Sequence, residues 1–337
     1  MLKSIQTPFT KMMNCRFPII GAPMFLVSNK ELVLGVTEAG GVGTTPSLNF
    51  RPSEEFGRVI KDMKDNANGP IGVNIIVNKS NTRAASDLKH SLDAGVDLFI
   101  TSLGNPKEVI QLAHKQGAKV VCDVTNLEHA LKVQDLGADG VIAVSSGAGG
   151  HAGPISPLVL IPWLKNTLEI PVIAAGGIAD GTTMAAALAL GASAVSVGTR
   201  FIACKEATVQ QAYKDAIIDA TPENIVMSTR ISGTPAAVIE TEYIKKMGTD
   251  LPWLVEQLKK NPVTKKYVVP LIHLAGMKSL ENAADKPTWK TVWSAGQSVG
   301  LIDKELSVVE IMEKFILEYE NSLNALQATT KDEGAHP

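Results

Sequence analysis

The chain has 337 residues, of which 45% are hydrophobic and 20% charged, and this composition excludes a mostly disordered protein. The 32 basic and 34 acidic side chains leave a net charge of −2, and aromatic residues make up only 5%. Without a general basic surface or many aromatic stacking platforms, a nucleic-acid-binding protein is not expected. This length accommodates one large domain or two ordinary ones.

The cysteines and the first residues predict a cytoplasmic protein. Cys15, Cys122 and Cys204 are far apart, form no CxxC pair and belong to no Cys/His cluster with zinc-ligand spacing, so we expect neither a disulfide framework nor a metal site. Residues 1–17 contain no apolar stretch of the secretory type. The uncharged run 181–199 is interrupted by Gly191 and fits a helix followed by a strand rather than a membrane span.

Short apolar runs alternate with amphipathic stretches along the first two-thirds of the chain. The runs predict strands at Pro18–Gly21, Gly41–Thr45, Ile71–Val77, Leu98–Ser102, Lys119–Cys122, Gly140–Val144, Pro171–Ala175 and Ala194–Gly198. The stretches between them predict helices that include Lys30–Ala39, Ser53–Lys64, Pro106–Lys115, Leu127–Leu136 and Thr182–Leu190. Several of these helices end at a glycine, which ends a helix at low steric cost.

Eight strands with helices between them predict an α/β protein with a TIM (β/α)8 barrel. A doubly wound parallel sheet is the alternative, but no Gly-x-Gly-x-x-Gly follows the first strand. After Phe201 the strand repeat stops and the pattern becomes mostly helical, which predicts a smaller helical cap over the barrel mouth. The predicted domains are a barrel over 1–209, a cap over 210–293 and a C-terminal segment over 294–337 that returns to the barrel.

Two glycine-containing loops predict a phosphate site. Such a site recurs after strands seven and eight of these barrels, where backbone N–H groups approach an anion and a helix N-terminus adds positive partial charge. Gly176 and Gly177 follow predicted strand seven, and Gly198 and Thr199 follow strand eight. Tight turns without a ligand are the alternative. The presence of both loops in the right order favours a phosphate-bearing cofactor.

One imidazole follows predicted strand six, at the catalytic end of a barrel. His151 is the only titratable side chain in a loop of small residues. The glycines of this loop are Gly147, Gly149, Gly150 and Gly153. Because imidazole titrates near neutrality, this position predicts a general base or a hydrogen-bond donor to an anion. The alternative is a structural histidine that bonds to a loop carbonyl.

Three lysine pairs lie in the predicted cap, at Lys245–Lys246, Lys259–Lys260 and Lys265–Lys266. Such pairs usually form a solvated face. The alternative is a docking patch for an acidic carrier protein.

Three stretches in this order, Ala148–His151, Pro171–Gly181 and Gly198–Phe201, resemble the nitronate monooxygenase family, formerly called 2-nitropropane dioxygenases. That family also takes in the flavin-dependent enoyl-acyl-carrier-protein reductases of the FabK type and related NAD(P)H:quinone reductases. The resemblance runs from about Phe17 to Phe201 and resumes at Trp293–Leu301.

The resemblance implies an FMN at the C-terminal mouth of the barrel, with His151 over its ring as the catalytic residue. The implied cofactor-binding residues are Ala22, Pro23 and Met24 against the ring, Asn74 near the ring, Gly150 beside His151, the phosphate-loop residues Gly176, Gly177, Gly198 and Thr199, and Gln297 from the C-terminal segment.

Three positions bear on the choice of reaction within the family. Ala22-Pro23-Met24 resembles the nitronate monooxygenases, whereas Gly104-Asn105-Pro106 resembles the enoyl reductases. The quinone reductases carry lysine where this chain has Asp123, so the role of that lysine is not carried over.

The leading hypothesis is an FMN-dependent monooxygenase that oxidises alkyl nitronates with O₂ to carbonyl compounds and nitrite, with His151 as catalytic base. The second is an NAD(P)H-dependent FMN reductase of enoyl thioesters or quinones. A third, from another class, is a barrel that binds flavin or phosphate for storage or regulation without catalysis. The expected partners are small molecules, with neither nucleic acid nor membrane among them. The sequence leaves the physiological substrate and the oligomeric state open, and a homo-oligomer is one alternative.

Overall fold

A closed barrel of eight parallel strands lies at the centre of the fold, in sequence order, with β1 paired to both β2 and β8. The computed structural model describes residues 2–78, 81–230, 233–260, 268 and 292–329. The strands are β1 Ile19–Gly21, β2 Val42–Pro46, β3 Ile71–Ile76, β4 Leu98–Ser102, β5 Lys119–Val124, β6 Gly140–Val144, β7 Val172–Ala175 and β8 Ala194–Val197. The predicted TIM barrel is confirmed, and the doubly wound alternative is wrong.

Helices surround the barrel and connect its strands. They are α1 Pro8–Met13, α2 Lys30–Glu38, α3 Ser53–Asn66, α4 Ala84–Asp93, α5 Lys107–His114, α6 Leu127–Asp135, α7 Pro157–Thr167, α8 Gly181–Ala189 and α9 Thr199–Ile202, with a short 3-10 helix at Ser47–Asn49. Each of α2, α3 and α5 buries one apolar stripe and exposes a charged face, as expected for helices that cover a sheet.

Side chains along each strand alternate between the barrel interior and the surrounding helices. The interior cluster contains Ile20, Val42, Leu98, Ile100, Val121, Ile142, Ile173 and Ala194. Phe9 and Met13 of α1 belong to the same buried cluster. Because α1 directly precedes β1, it lies across the N-terminal end of the barrel and closes it.

The segment that follows the barrel contains both helices and strands. Its helices are α10 Gln211–Asp219, α11 Glu242–Met247 and α12 Trp253–Lys260, with a 3-10 helix at Pro222–Asn224. Strands β9 Ile225–Ser228 and β10 Ala236–Ile239 form a two-stranded antiparallel sheet. The sequence predicted a mostly helical pattern here and did not indicate this short sheet, because a four-residue run such as Ala-Ala-Val-Ile fits helix and strand equally well. Lys265 and Lys266 lie outside the described residues, and the domain boundaries at 209 and 293 stay predictions.

The C-terminal segment packs back onto the barrel. It begins with a 3-10 helix at Gln297–Leu301 and continues into α13 Val308–Thr329, which packs against α2 and α8. Arg200 donates to the carbonyl oxygens of Ala203 at 2.6 Å and Lys304 at 2.7 Å. Within the described ranges, no helix has the length and apolarity that crossing a membrane requires.

Candidate active site

The loops that follow β1 and β8 face each other at the C-terminal end of the barrel. An added Cβ at Gly198 would lie 3.6 Å from Met24 Sδ and 3.7 Å from Ala22 Cβ. The backbone N–H of Ala22 donates to Val197 O at 2.9 Å, and Pro23 lies half-buried in the same loop. The structure therefore brings these four sequence-predicted residues together.

Asn49, the last residue of the 3-10 helix after β2, clamps the loop that carries Met24. Its Nδ2 donates to Met24 O at 3.1 Å and to Ser28 O at 3.2 Å, and its Oδ1 accepts from Leu26 N at 2.9 Å. One amide thus satisfies three backbone groups of a loop without regular secondary structure. Asn49 was not among the predicted site residues.

Replacing Asn49 with alanine should lower the free energy of unfolding by about 2 kcal/mol, because Leu26 N loses its acceptor and Met24 O and Ser28 O each lose one of their donors. Urea denaturation measures the effect. Asn66→Ala serves as the control, because within the described ranges the Asn66 side chain bonds to Asp62 alone, at the exposed end of α3, and its loss should stay within about 0.5 kcal/mol. Equal losses for the two variants would contradict the clamp.

The loops after β6 and β7 meet the C-terminal segment beside the loop after β8. An added Cβ at Gly147 would lie 3.5 Å from Gly177 N and 3.6 Å from Gln297 Oε1. Gln297 N donates to Gly147 O at 3.1 Å, and Gly296 N donates to the buried Thr199 Oγ1 at 3.0 Å. Gly177, Thr199 and Gln297 are therefore neighbours here, although Gln297 is distant from both in the sequence.

The two glycines after β7 have different surroundings. Gly176 has a φ of +113°, and an added Cβ would lie 2.7 Å from Ser145 Oγ, so it packs tightly against the loop after β6. Gly177 has a φ of +76°, and no atom of the described chain lies within 4 Å of an added Cβ. Gly177 therefore borders open space at the mouth, where a ligand can approach the backbone closely.

The N-terminus of α8 is not available for an anion, contrary to part of the reasoning that predicted the phosphate site. The Asp180 carboxylate accepts from Thr183 N at 2.7 Å, and Glu318 Oε2 of α13 accepts from Gly181 N at 3.0 Å. Two carboxylates thus already bond to two of the N–H groups of this helix end and offset its positive partial charge. Any anion here depends on the loop glycines and on the backbone around Thr199.

His151 lies at the surface of the loop after β6, next to the cap. Gly150 N donates to Ala237 O at 3.1 Å, and Ala237 N donates to Gly150 O at 2.7 Å. This pair of bonds joins the loop to β10 directly before His151, whose side chain is exposed. These two hydrogen bonds fix the backbone that carries the imidazole at the barrel mouth.

A row of polar side chains crosses the ends of β3, β4 and β5. Asn74 Nδ2 donates to Ser102 Oγ at 2.8 Å, and the Ser102 hydroxyl donates to Asp123 Oδ2 at 2.5 Å. Burial raises the pKa of Asp123 from its ordinary value of 3.8 to about 6, although the hydrogen bond from Ser102 opposes this shift. Ser102 was not among the predicted site residues, and the role of Asp123 was left open.

The raised pKa of Asp123 predicts a pH-dependent effect of Asp123→Asn on stability. Below about pH 4 the Asp123 carboxyl is neutral in both the folded and the unfolded protein. Between about pH 4 and 6 it ionises only in the unfolded chain, so the wild type loses stability as pH rises through this range. The shift corresponds to about 3 kcal/mol, which solvent screening at a partly exposed group reduces to about 2. The asparagine variant should gain that amount relative to wild type between about pH 4 and 8 in urea denaturation. A difference in unfolding free energy between Asp123→Asn and wild type that does not change with pH would contradict the raised pKa.

The cysteines are protonated at neutral pH. Burial raises the pKa of Cys122 to about 11 and that of Cys15 and Cys204 to about 12. Cys122 Sγ also accepts a hydrogen bond from Thr101 Oγ1 at 3.1 Å. Because the thiolate is the nucleophile, these values agree with a packing role for Cys122.

Comparisons with known proteins identify relatives along nearly the whole chain. The family model described as nitronate monooxygenase matches residues 6–318. A probable nitronate monooxygenase of Staphylococcus saprophyticus is 28% identical and covers 95% of this chain and 99% of its own. The (3aS,4S,5R,7aS)-5-hydroxy-7a-methyl-1-oxo-octahydro-1H-indene-4-carboxyl-CoA dehydrogenase of Rhodococcus jostii is 31% identical over 250 residues, which are 73% of this chain and 69% of that protein.

Solved structures resemble this chain over a similar length. FabK from Thermotoga maritima superposes with a TM-score of 0.85 at 31% identity, covering 97% of this chain and 100% of its own. Nitroalkane oxidase from Streptomyces ansochromogenes superposes with a TM-score of 0.80 at 25% identity, covering 95% of this chain and 100% of its own.

Proposed function

The chain belongs to the nitronate monooxygenase family and is a flavin-dependent oxidoreductase, and from this premise we propose that it uses FMN and O₂ to oxidise alkyl nitronates to carbonyl compounds and nitrite. Family membership sets aside the alternative of a barrel that only stores a cofactor. One observation carries the proposal: His151 is the only titratable side chain of its loop and lies at the barrel mouth beside the bridge to β10.

The barrel mouth offers surroundings that suit FMN. Gly177 and Gly150 both have a positive φ and border open space, so a flat or anionic ligand can approach their backbone. We assign the phosphate to Gly176, Gly177, Gly198 and Thr199, and the ring to a surface formed by Ala22, Pro23, Met24, Asn74, Gly150 and Gln297. When bound, the flavin supplies the redox chemistry that protein side chains lack.

In this proposal His151 accepts a proton from the neutral substrate or donates a hydrogen bond to the anionic one. An imidazole nitrogen accepts the proton from the carbon next to the nitro group when the substrate arrives as the neutral nitroalkane. When the substrate arrives as the nitronate anion, a protonated imidazole nitrogen donates a hydrogen bond to a nitronate oxygen. Exposure at the mouth lets the imidazole meet a substrate that enters from solvent.

A second candidate is an NAD(P)H-dependent reductase of an enoyl thioester or a quinone. The similarity to a CoA-thioester dehydrogenase and to FabK, each at 31% identity, favours this alternative. Lys245 of the first lysine pair adds little to it, because it is exposed and its Nζ lies 3.4 Å from Glu242 Oε1 of its own helix, which fits a solvated face.

An anaerobic visible spectrum distinguishes the two candidates. We expect the flavin band of the purified protein to bleach with an alkyl nitronate and to persist with NADH or NADPH. Prompt bleaching by either nicotinamide, with no response to nitronate, would replace the monooxygenase by the reductase. A protein that binds no flavin would contradict both.

The cellular location and the assembly are also proposals. All three cysteines are free thiols, which supports a reducing compartment such as the cytoplasm. Size-exclusion chromatography with light scattering would show whether the chain forms a homo-oligomer.

A further inference from the structure

Three neighbouring strands, β3, β4 and β5, place polar side chains in the upper interior of the barrel. Ser102 follows Ile100 by two residues and Asp123 follows Val121 by two, so both continue the inward-facing rows of their strands. Asn74 pairs in register with Ile100 and faces the same side. Burying polar groups costs free energy unless they are hydrogen-bonded, and Ser102 bonds to both Asn74 and Asp123.

We propose that Asp123 is a positioning residue, which acts through Ser102 to fix the Asn74 amide so that its Oδ1 stays free to accept a hydrogen bond from the bound flavin. The inference rests on the proposed flavin site and assigns roles to Ser102 and Asp123.

The directions of the hydrogen bonds follow from the chemistry of the three groups. An ionised carboxylate only accepts, so the single hydroxyl hydrogen of Ser102 points to Asp123 Oδ2, 2.5 Å away. Ser102 Oγ can then only accept from Asn74, and the Nδ2 group is the donor at 2.8 Å. The second Nδ2 hydrogen goes to Ile100 O at 3.2 Å. Both amide hydrogens are therefore used within the protein.

Without Asp123, the orientation of the amide is no longer determined. The Ser102 hydroxyl could then donate to Asn74 Oδ1, and a flipped amide would lose only the bond to Ile100 O. With Asp123 present, a flipped amide would place Asn74 Oδ1 opposite two other acceptors, Ser102 Oγ and Ile100 O. In the described part of the chain nothing donates to Asn74 Oδ1, so this oxygen is the group left over for a ligand.

The dissociation constant of FMN, measured by fluorescence quenching on flavin-free protein at about pH 7.5, tests the inference, because Asp123 is ionised there. Asn74→Ala should weaken FMN binding about tenfold, the equivalent of one hydrogen bond. Asp123→Leu and Ser102→Ala should each weaken it about fivefold when Asn74 is present. In the Asn74→Ala background, Asp123→Leu and Ser102→Ala should each change the dissociation constant of FMN by no more than about twofold, because their effect passes through Asn74.

Two controls accompany these variants. Ser102→Thr keeps the hydroxyl and should bind FMN within about twofold of wild type. Asp139→Asn removes a carboxylate just before β6, at the opposite end of the barrel, and should leave FMN affinity unchanged. Circular dichroism verifies the fold of each variant, and Ser102→Ala carries the test if Asp123→Leu does not fold.

The outcomes separate this inference from the proposed function. If Asp123→Leu or Ser102→Ala weakens FMN binding equally with and without Asn74, or not at all, the inference is overturned while the flavin site stands. If the wild-type protein does not bind FMN, the proposed function fails and the inference fails with it.

Discussion

Replacing His151 with alanine is expected to leave the flavin bound and to lower turnover of nitroalkane and nitronate by about 100- to 10,000-fold, the usual contribution of a positioned acid or base. The backbone at this point is held by the exchange of bonds between Gly150 and Ala237, so removing the imidazole should not disturb the loop. Steady-state rates together with the visible spectrum of the purified variant measure both effects.

Two further variants sharpen this test. His129→Ala removes an exposed imidazole from α6 and should keep wild-type turnover. His151→Asn can donate a hydrogen bond but takes up no proton, so it should retain more activity with the preformed nitronate than with the neutral nitroalkane. Undiminished turnover in His151→Ala would remove this residue from the mechanism.

Gly177→Asp is expected to weaken FMN binding by more than about 100-fold. The new side chain would occupy the open space at the mouth, and its charge would repel the phosphate by about 4 kcal/mol at 4 Å in an environment of intermediate polarity. The left-handed backbone, with a φ of +76°, should add a stability loss of about 1 kcal/mol. Titration of flavin-free protein with FMN and thermal unfolding measure the two effects separately.

Gly117 provides a matched control for this substitution. It has a φ of +77° and open surroundings, but it lies between α5 and β5 at the N-terminal end of the barrel. Gly117→Asp should therefore lose the same stability and bind FMN like the wild type. Tight FMN binding by Gly177→Asp would exclude the loop after β7 as the phosphate site.

The barrel could be predicted from the sequence because its signals are local. The bounds of Leu98–Ser102 and Gly140–Val144 agree with the structure at both ends, and the other strands differ by one or two residues. Apolar runs of this length, separated by helices that end in glycine, leave few other interpretations. Helix α7 was not singled out, because it exposes Leu158 and Val159 and contains Pro162, which obscures the helical pattern.

The parts of the site that escaped prediction depend on contacts between distant residues. The neutralised N-terminus of α8 involves Glu318, which lies 137 residues after Gly181. Ser102 and Asp123 are 21 residues apart and meet only because β4 and β5 are neighbours in the barrel. A partial signal was present, since a polar residue at an inward position of a buried strand is uncommon.

The packed interior and helix α1 leave no route through the barrel. Side chains fill the interior, and Phe9 and Met13 continue that buried cluster at the N-terminal end, so a ligand reaches the loops after β6, β7 and β8 from the C-terminal side. In the proposed function the flavin lies there and offers one open face to both substrates, so an organic donor and a bulky acceptor compete for that face. Kinetics with two such substrates should follow a substituted-enzyme pattern, with parallel double-reciprocal lines and each substrate inhibiting competitively against the other. Only an acceptor as small as O₂ could react before the first product has left.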